Sequence, residues 1–184
     1  YDGTDTSMTY DGLSGVFNGT SGVIDVPVSM LTLTENFTCN FWFNANDTLG
    51  HTIRYTSGSY IWANLTSTEF RVNLRDSSGT WYVYYVALPV VTNTYIYASM
   101  KWDGSNHYTT VIIDGIKYTN SIAITSLLND DIYSSAWIGA GGDGFYDKSS
   151  FFNGTIAKFR LYNKAITVEQ IQAIYNNEKG SFGL

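Results

Sequence analysis

The chain has 184 residues, of which 16% are aromatic and only 14% charged, with a formal net charge of −6 and one cysteine. One core can be buried at this length without a second domain, and the acidic balance, lacking any basic cluster, excludes an electrostatic footprint for nucleic acid. A lone thiol excludes an internal disulfide, and no apolar run approaches the roughly 20 residues of a membrane-spanning helix.

In chain order, residues 1–13 are polar, carry Asp2-Gly3 and Asp11-Gly12 turns and show no clear period. They read as an N-terminal arm, loose or ordered on a neighbour, with Tyr1, Met8 and Tyr10 available for self-association. The start at Tyr1 reads as that of a processed or excised chain. One domain is expected over residues 14–184. Val16-Phe17-Asn18-Gly19 and Gly22-Val23-Ile24-Asp25-Val26-Pro27 form two opening strands, then a loop over 27–34. Residues 37–43 make a long core strand with Cys39 on its apolar side, a buried free thiol. Three strands follow at 51–56, 59–64 and 69–75. In the last, Phe70, Val72 and Leu74 face inward while Glu69, Arg71, Asn73 and Arg75 face outward.

Residues 81–86 and 94–102 are further strands, and 107–114 with 116–119 form a hairpin around Asp114-Gly115. Residues 122–131, with Leu127-Leu128, read as a covering loop or one helical turn. Residues 136–139 are a strand leading into the glycine-rich run 139–144.

The tail is the most specific part. Asn153-Gly154 reads as a turn or bulge, after which Ala157, Phe159 and Leu161 alternate with Lys158, Arg160 and Tyr162 as one buried-face strand. Thr167 with Gln170 three positions on is a capping box opening a short helix. Ile166 can staple onto Ile171, and Ile171, Ile174 and Tyr175 form one apolar stripe. Lys179-Gly180 fits the C-terminal cap, and so short a helix must be held by packing, here expected at a sheet edge.

This tail, the opening pair, Phe37–Phe43, Trp102-Asp103-Gly104, Val111–Gly115 and Ala136-Trp137-Ile138-Gly139 together resemble, in order, the laminin G-like domains of the concanavalin A-like lectin/glucanase superfamily. The resemblance covers roughly residues 14–178. It implies an all-β, concanavalin A-like jelly-roll sandwich of two antiparallel sheets with a short C-terminal helix. The chain departs where the family often has an acidic pair, holding Ala157 and Lys158 instead.

Catalytic chemistry is thin. The Glu-x-Asp-x-Glu spacing of the glucanase branch is missing, and His51 and His107 stand alone, reading as surface positions rather than zinc ligands. Two binding candidates emerge. Asp143 and Asp147, in a flexible glycine-rich loop, offer oxygen ligands for Ca2+, as relatives hold at the sandwich edge. Tyr60 with Trp62, Arg71 with Asn73, and Tyr82 with Tyr84 each share a strand face and could form an aromatic-polar platform. Of five Asn-x-Ser/Thr sequons, Asn18 and Asn153 lie in expected turns and are the plausible glycosylation acceptors. The resulting expectation is a non-catalytic, lectin-like binding module at an extracellular, cell or virion surface, recognising a glycan or surface protein. The alternative is a structural subunit of a virion, filament or surface layer, packed through its aromatic rows.

Overall fold

The computed structural model describes residues 4–6, 9–10, 14–27, 36–47, 51–55, 61–89, 92–127, 135–140 and 151–184. The strands are β1 (Thr4–Thr6), β2 (Thr9–Tyr10), β3 (Ser14–Asn18), β4 (Val23–Pro27), β5 (Phe37–Ala45), β6 (His51–Tyr55) and β7 (Ile61–Leu65). They continue as β8 (Glu69–Arg75), β9 (Trp81–Ala87), β10 (Ile96–Trp102), β11 (Asn106–Ile113), β12 (Ile116–Ala123), β13 (Ser135–Ile138) and β14 (Asn153–Tyr162), and the helix α1 spans Val168–Glu178. One layer is a seven-stranded sheet in the order β12-β11-β10-β5-β14-β3-β2. The other joins a three-stranded sheet, β1-β4-β13, to a four-stranded one, β6-β7-β8-β9, with β13 beside β6. The strand pairs are antiparallel throughout these sheets. This is the expected sandwich.

The core follows from alternation. On β5, Phe37, Cys39, Phe41, Phe43 and Ala45 point between the layers and meet Phe70, Val72 and Leu74 of β8. Burial holds the Cys39 thiol well above its ordinary pKa, which keeps it protonated and unreactive. The other phase of β5, Thr38, Asn40 and Trp42, is equally buried. It is covered by α1 and the residue leading into it: Ile166 ahead of the helix and Ile171 and Tyr175 on it pack onto Trp42, Tyr97, Ile112 and Ala157. These belong to the central strands β5, β10, β11 and β14, so the helix lies across the middle of the sheet's outer face and not at an edge. Aromatic and small side chains there leave an apolar patch that only the helix stripe can bury.

The capping box forms as expected: the Gln170 amide N–H donates to Thr167 Oγ1 at 3.2 Å, and the Thr167 N–H to Gln170 Oε1 at 2.8 Å. Termination differs. Lys179 stays right-handed, a 3₁₀ turn spans Lys179–Phe182, and the left-handed residue is Gly183 at φ 75°, not Gly180. That extra turn stacks Phe182 on Trp42, with ring centroids 4.4 Å apart.

Three further expectations are corrected. Thr4–Thr6 pairs with β4 and Thr9–Tyr10 with β3, so these parts of the arm are strands of the two layers. Residues 122–123 still belong to β12, and Ile124 and Leu127 then enter the core without a helical turn among the described residues, Trp102 Nε1 donating to the Ile124 carbonyl at 2.9 Å. In β14 the alternation breaks between Ala157 and Arg160, where three steps on β14 match two on β5. Lys158 at φ 49° is the additional residue of this bulge. Ala157 therefore faces α1, whereas Phe159 and Leu161 face the core.

His107 is the largest surprise. It is fully buried, not at the surface, and the Tyr84 hydroxyl crosses from the opposite sheet to contact His107 Nδ1 and, at 2.7 Å, Thr109 Oγ1. Burial lowers the His107 pKa from the ordinary 6.5 to about 3. The folded chain thus binds fewer protons than the unfolded one between those values. Stability is complete above the unfolded pKa and falls as pH drops toward 3, by at most about 1.4 kcal/mol per pH unit. Urea unfolding at about pH 7 and about pH 5 should differ by roughly 2 kcal/mol. A His107→Gln variant should lose most of that slope; an unchanged slope would assign it to other groups.

Candidate functional site

The four-stranded sheet turns one face outward, and its phase is set by β8. Phe70, Val72 and Leu74 point into the core, so Arg71, Asn73 and Arg75 belong to the outer phase. Register then places Tyr85 opposite Arg71, Val83 opposite Asn73 and Trp81 opposite Arg75. Trp81, Val83 and Tyr85 are 50%, 56% and 53% exposed, a row of large apolar side chains on one edge strand. On an extended strand Trp81 and Tyr85 stand about 13 Å apart.

The expected pair Tyr82 and Tyr84 is therefore out of phase. Tyr84 is buried, its hydroxyl spent on His107 and Thr109. Tyr82 is half-buried against the core and donates to Asp76 Oδ2 at 3.0 Å. Both phases of Trp81-Tyr82-Val83-Tyr84-Tyr85-Val86 are aromatic, so periodicity could not choose between them. A buried tyrosine hydroxyl needs a partner, and that partner lies on a strand of the other sheet. Asn73 belongs to the outer phase yet is itself buried. Trp62 occupies the register position opposite Asn73 on β7, in phase with Asn64, while Tyr60 lies outside the described residues.

Local structure holds this face in shape. The Asp76 carboxylate accepts from the N–H groups of Ser78 and Thr80, each at 2.9 Å, and from the Ser78 hydroxyl at 2.6 Å, closing the β8–β9 turn. The Ser78 hydroxyl is the main reason its pKa is held below the usual carboxylate value, so the cap is charged at neutral pH. Arg75 Nε donates to the Gly79 carbonyl at 2.9 Å, which poises its guanidinium 5.6 Å from the Trp81 ring centroid. Arg71 pairs with Glu69 on its own strand. At the free edge of β9, Asn120 Nδ2 from β12 donates to the Tyr85 carbonyl at 2.7 Å. That bond occupies an edge acceptor and ties the two layers together. The result is a firm strip of two rings and two guanidinium groups, suited to stacking on apolar sugar faces and donating to hydroxyls.

The remaining candidates separate from it. Asp143 and Asp147 lie outside the described residues, and among the described residues no cluster of three or more His, Cys, Asp or Glu could hold a metal. Asn18 is exposed, but its Oδ1 accepts from the N–H groups of Thr20, Ser21 and Gly22 at 2.9, 2.8 and 3.1 Å. Asn153 is half-buried, its Nδ2 donating to Asp47 Oδ2 at 2.7 Å and its Oδ1 accepting from Asn46 Nδ2 at 3.0 Å. Both amides organise turns. Among the described residues no helix is long and apolar enough to cross a membrane.

Residues 18–172 match the laminin G-type family model of the concanavalin A-like lectin/glucanases superfamily. Among solved structures, the receptor-binding domain of the botulinum neurotoxin C/D mosaic serotype is similar at 14% identity and a TM-score of 0.68, over 95% of this chain and 45% of that one. The serotype G binding domain gives 13% and 0.68, over 97% and 46%. The serotype D ligand-binding domain, solved in complex with N-acetylneuraminic acid, gives 15% and 0.69, over 97% and 47%. At these identities the likeness is one of fold. The chain spans less than half the length of those relatives. No curated protein sequence matches it.

Proposed function

The chain belongs to the concanavalin A-like lectin/glucanase superfamily, and from that premise we propose that it is a non-catalytic binding module of an extracellular or surface protein that recognises glycan. The observation that carries this reading is the exposed row of Trp81 and Tyr85 beside Arg71 and Arg75 on the outer face of β8 and β9. Stacked rings supply area at low entropic cost, and the guanidinium groups orient the hydroxyls. The N-acetylneuraminic acid complex of a structural relative adds support for a sugar ligand. A glycan array followed by titration of the best hit tests it. Trp81→Ala and Tyr85→Ala should each weaken binding about 10-fold, as expected of an aromatic anchor. Tyr84→Phe, buried away from the face, should leave affinity unchanged. Retained affinity in both alanine variants would remove the outer face from the proposal.

The same exposed row favours one other reading, a structural subunit whose aromatic strip is covered by a neighbouring copy, with or without help from residues 1–13. A concentration-independent monomer mass would end it, and a mass reduced by Trp81→Ala would establish it. Calcium belongs to the proposal through Asp143 and Asp147 of the glycine-rich stretch. Adding millimolar calcium to metal-stripped chain should raise its melting temperature, and the double alanine variant should abolish the gain. A melt indifferent to calcium would withdraw the metal.

A further inference from the structure

The opposite layer carries a second site. Beside α1, a pocket of about 500 Å³ opens on the outer face of β10, β11 and β12. Pairing lays its side chains in two transverse rows: Ser99, Thr110 and Thr119 in one, Lys101, Tyr108 and Ser121 in the other. Lys117 lies two residues before Thr119 on the same phase, and Val168 and Ile171 of the helix form an apolar wall. The volume suits a small molecule. The lining is what a polyol needs: five hydroxyls, two ammonium groups and one apolar wall.

Burial makes the site more than a polar surface. Ser99 is 1% exposed, lines the pocket, and has no hydrogen-bond partner for its Oγ. Directly opposite it on β5, Asn40 is fully buried with neither amide atom partnered. Orphaned buried groups of this kind are rare unless a ligand or water completes them. Neither Lys101 nor Lys117 forms an ion pair among the described residues. Lys101 rests 4.8 Å from the Tyr108 ring centroid and donates to the Ile166 carbonyl at 3.4 Å. Two carboxylates stand at the margins. Asp103 Oδ1 accepts from the N–H groups of Ser105 and Asn106 at 3.0 and 2.8 Å, and the Glu169 carboxyl is held below its usual pKa, chiefly by the Thr167 hydroxyl, with the two lysines contributing at longer range. Asp103 is committed to its own turn, and neither carboxylate comes within ion-pair distance of a lysine among the described residues.

We propose that this pocket binds a sugar acid, its carboxylate on Lys117, its hydroxyls on Ser99, Thr110 and Thr119, and Lys101 adding positive charge from the far side of that row. The site is separate from the outer face of β8 and β9 and does not depend on that assignment. Amide NMR titration of the folded chain with glucuronate tests it, with glucose and inorganic phosphate as comparison ligands. Glucuronate should shift β10–β12 resonances saturably, and glucose should bind about 10-fold more weakly for want of the charge. Lys117→Ala and Thr119→Val, both exposed on an edge strand, should each weaken glucuronate about 5-fold. Trp81→Ala should leave it unchanged. Phosphate binding as tight as glucuronate would reduce the pocket to a simple anion site. Unsaturable shifts, or shifts indifferent to Lys117→Ala, would overturn the proposal altogether.

Discussion

Trp42→Ala will destabilise the chain by about 3–5 kcal/mol in urea unfolding, close to the upper end for a single core truncation. Trp42 is fully buried on the outer phase of β5 and lies between two rings, Tyr175 of α1 at 5.4 Å and Phe182 of the 3₁₀ turn at 4.4 Å. Its indole N–H donates to Glu178 Oε2 at 2.8 Å, and the other oxygen of that buried carboxylate pairs with Arg160. Truncation thus opens a cavity under the helix and removes one of the donors that compensate a buried charge. An eleven-residue helix has little stability of its own, so its amide protons should exchange much faster in the variant while those of β8 change less. Trp42→Phe keeps the stacking and loses the donor, and should cost about 1–3 kcal/mol. A loss below about 1 kcal/mol for the alanine variant would mean that α1 is not held by this contact.

That docking also marks the boundary of what the sequence could tell. Strand alternation and the Thr167–Gln170 capping box are local, and both appear where the sequence places them. The helix's seat was not local. It depends on which strands occupy the middle of the seven-stranded sheet, information held in pairing and not in any window of residues. The Ala157–Arg160 bulge had the same cause: a period of two cannot announce one inserted residue. For the site, Arg71 and Asn73 fell in the right phase because charged and apolar residues alternate on β8. On β9 aromatic residues occupy both phases, and only the Tyr84 contacts with His107 and Thr109 distinguish them. The pocket beside α1 was invisible for a further reason. Its polar rows are assembled across three strands, and serines and threonines on any one of them look like ordinary surface.

Gly154→Ala should be at least as damaging as loss of Trp42, though it adds only one methyl group. In the sequence Asn153-Gly154 reads as a turn or bulge; in the fold both residues open β14, and Gly154 pairs with Phe17 of β3 on one side and Ala45 of β5 on the other. Its φ is 147°, and a Cβ there would stand 2.0 Å from the Asn44 carbonyl oxygen and 3.0 Å from Ala45 Cα. Those are backbone atoms of the central core strand, which cannot swing aside as a side-chain tip could. Relief would have to come from separating β14 from β5 or from rotating the peptide, and either breaks ladder hydrogen bonds beside Phe43 and Phe152. Overpacking and backbone strain together should cost about 3–5 kcal/mol. Gly115→Ala is the control: its φ of 80° is near the left-handed region that alanine enters at modest cost, and beyond its chain neighbours no atom lies within 4 Å of the added Cβ. It should lose only the conformational part, about 1–2 kcal/mol. Parallel thermal and urea melts decide the matter, because equal losses for the two variants would show that strand packing around Gly154 yields and that conformation alone sets the penalty.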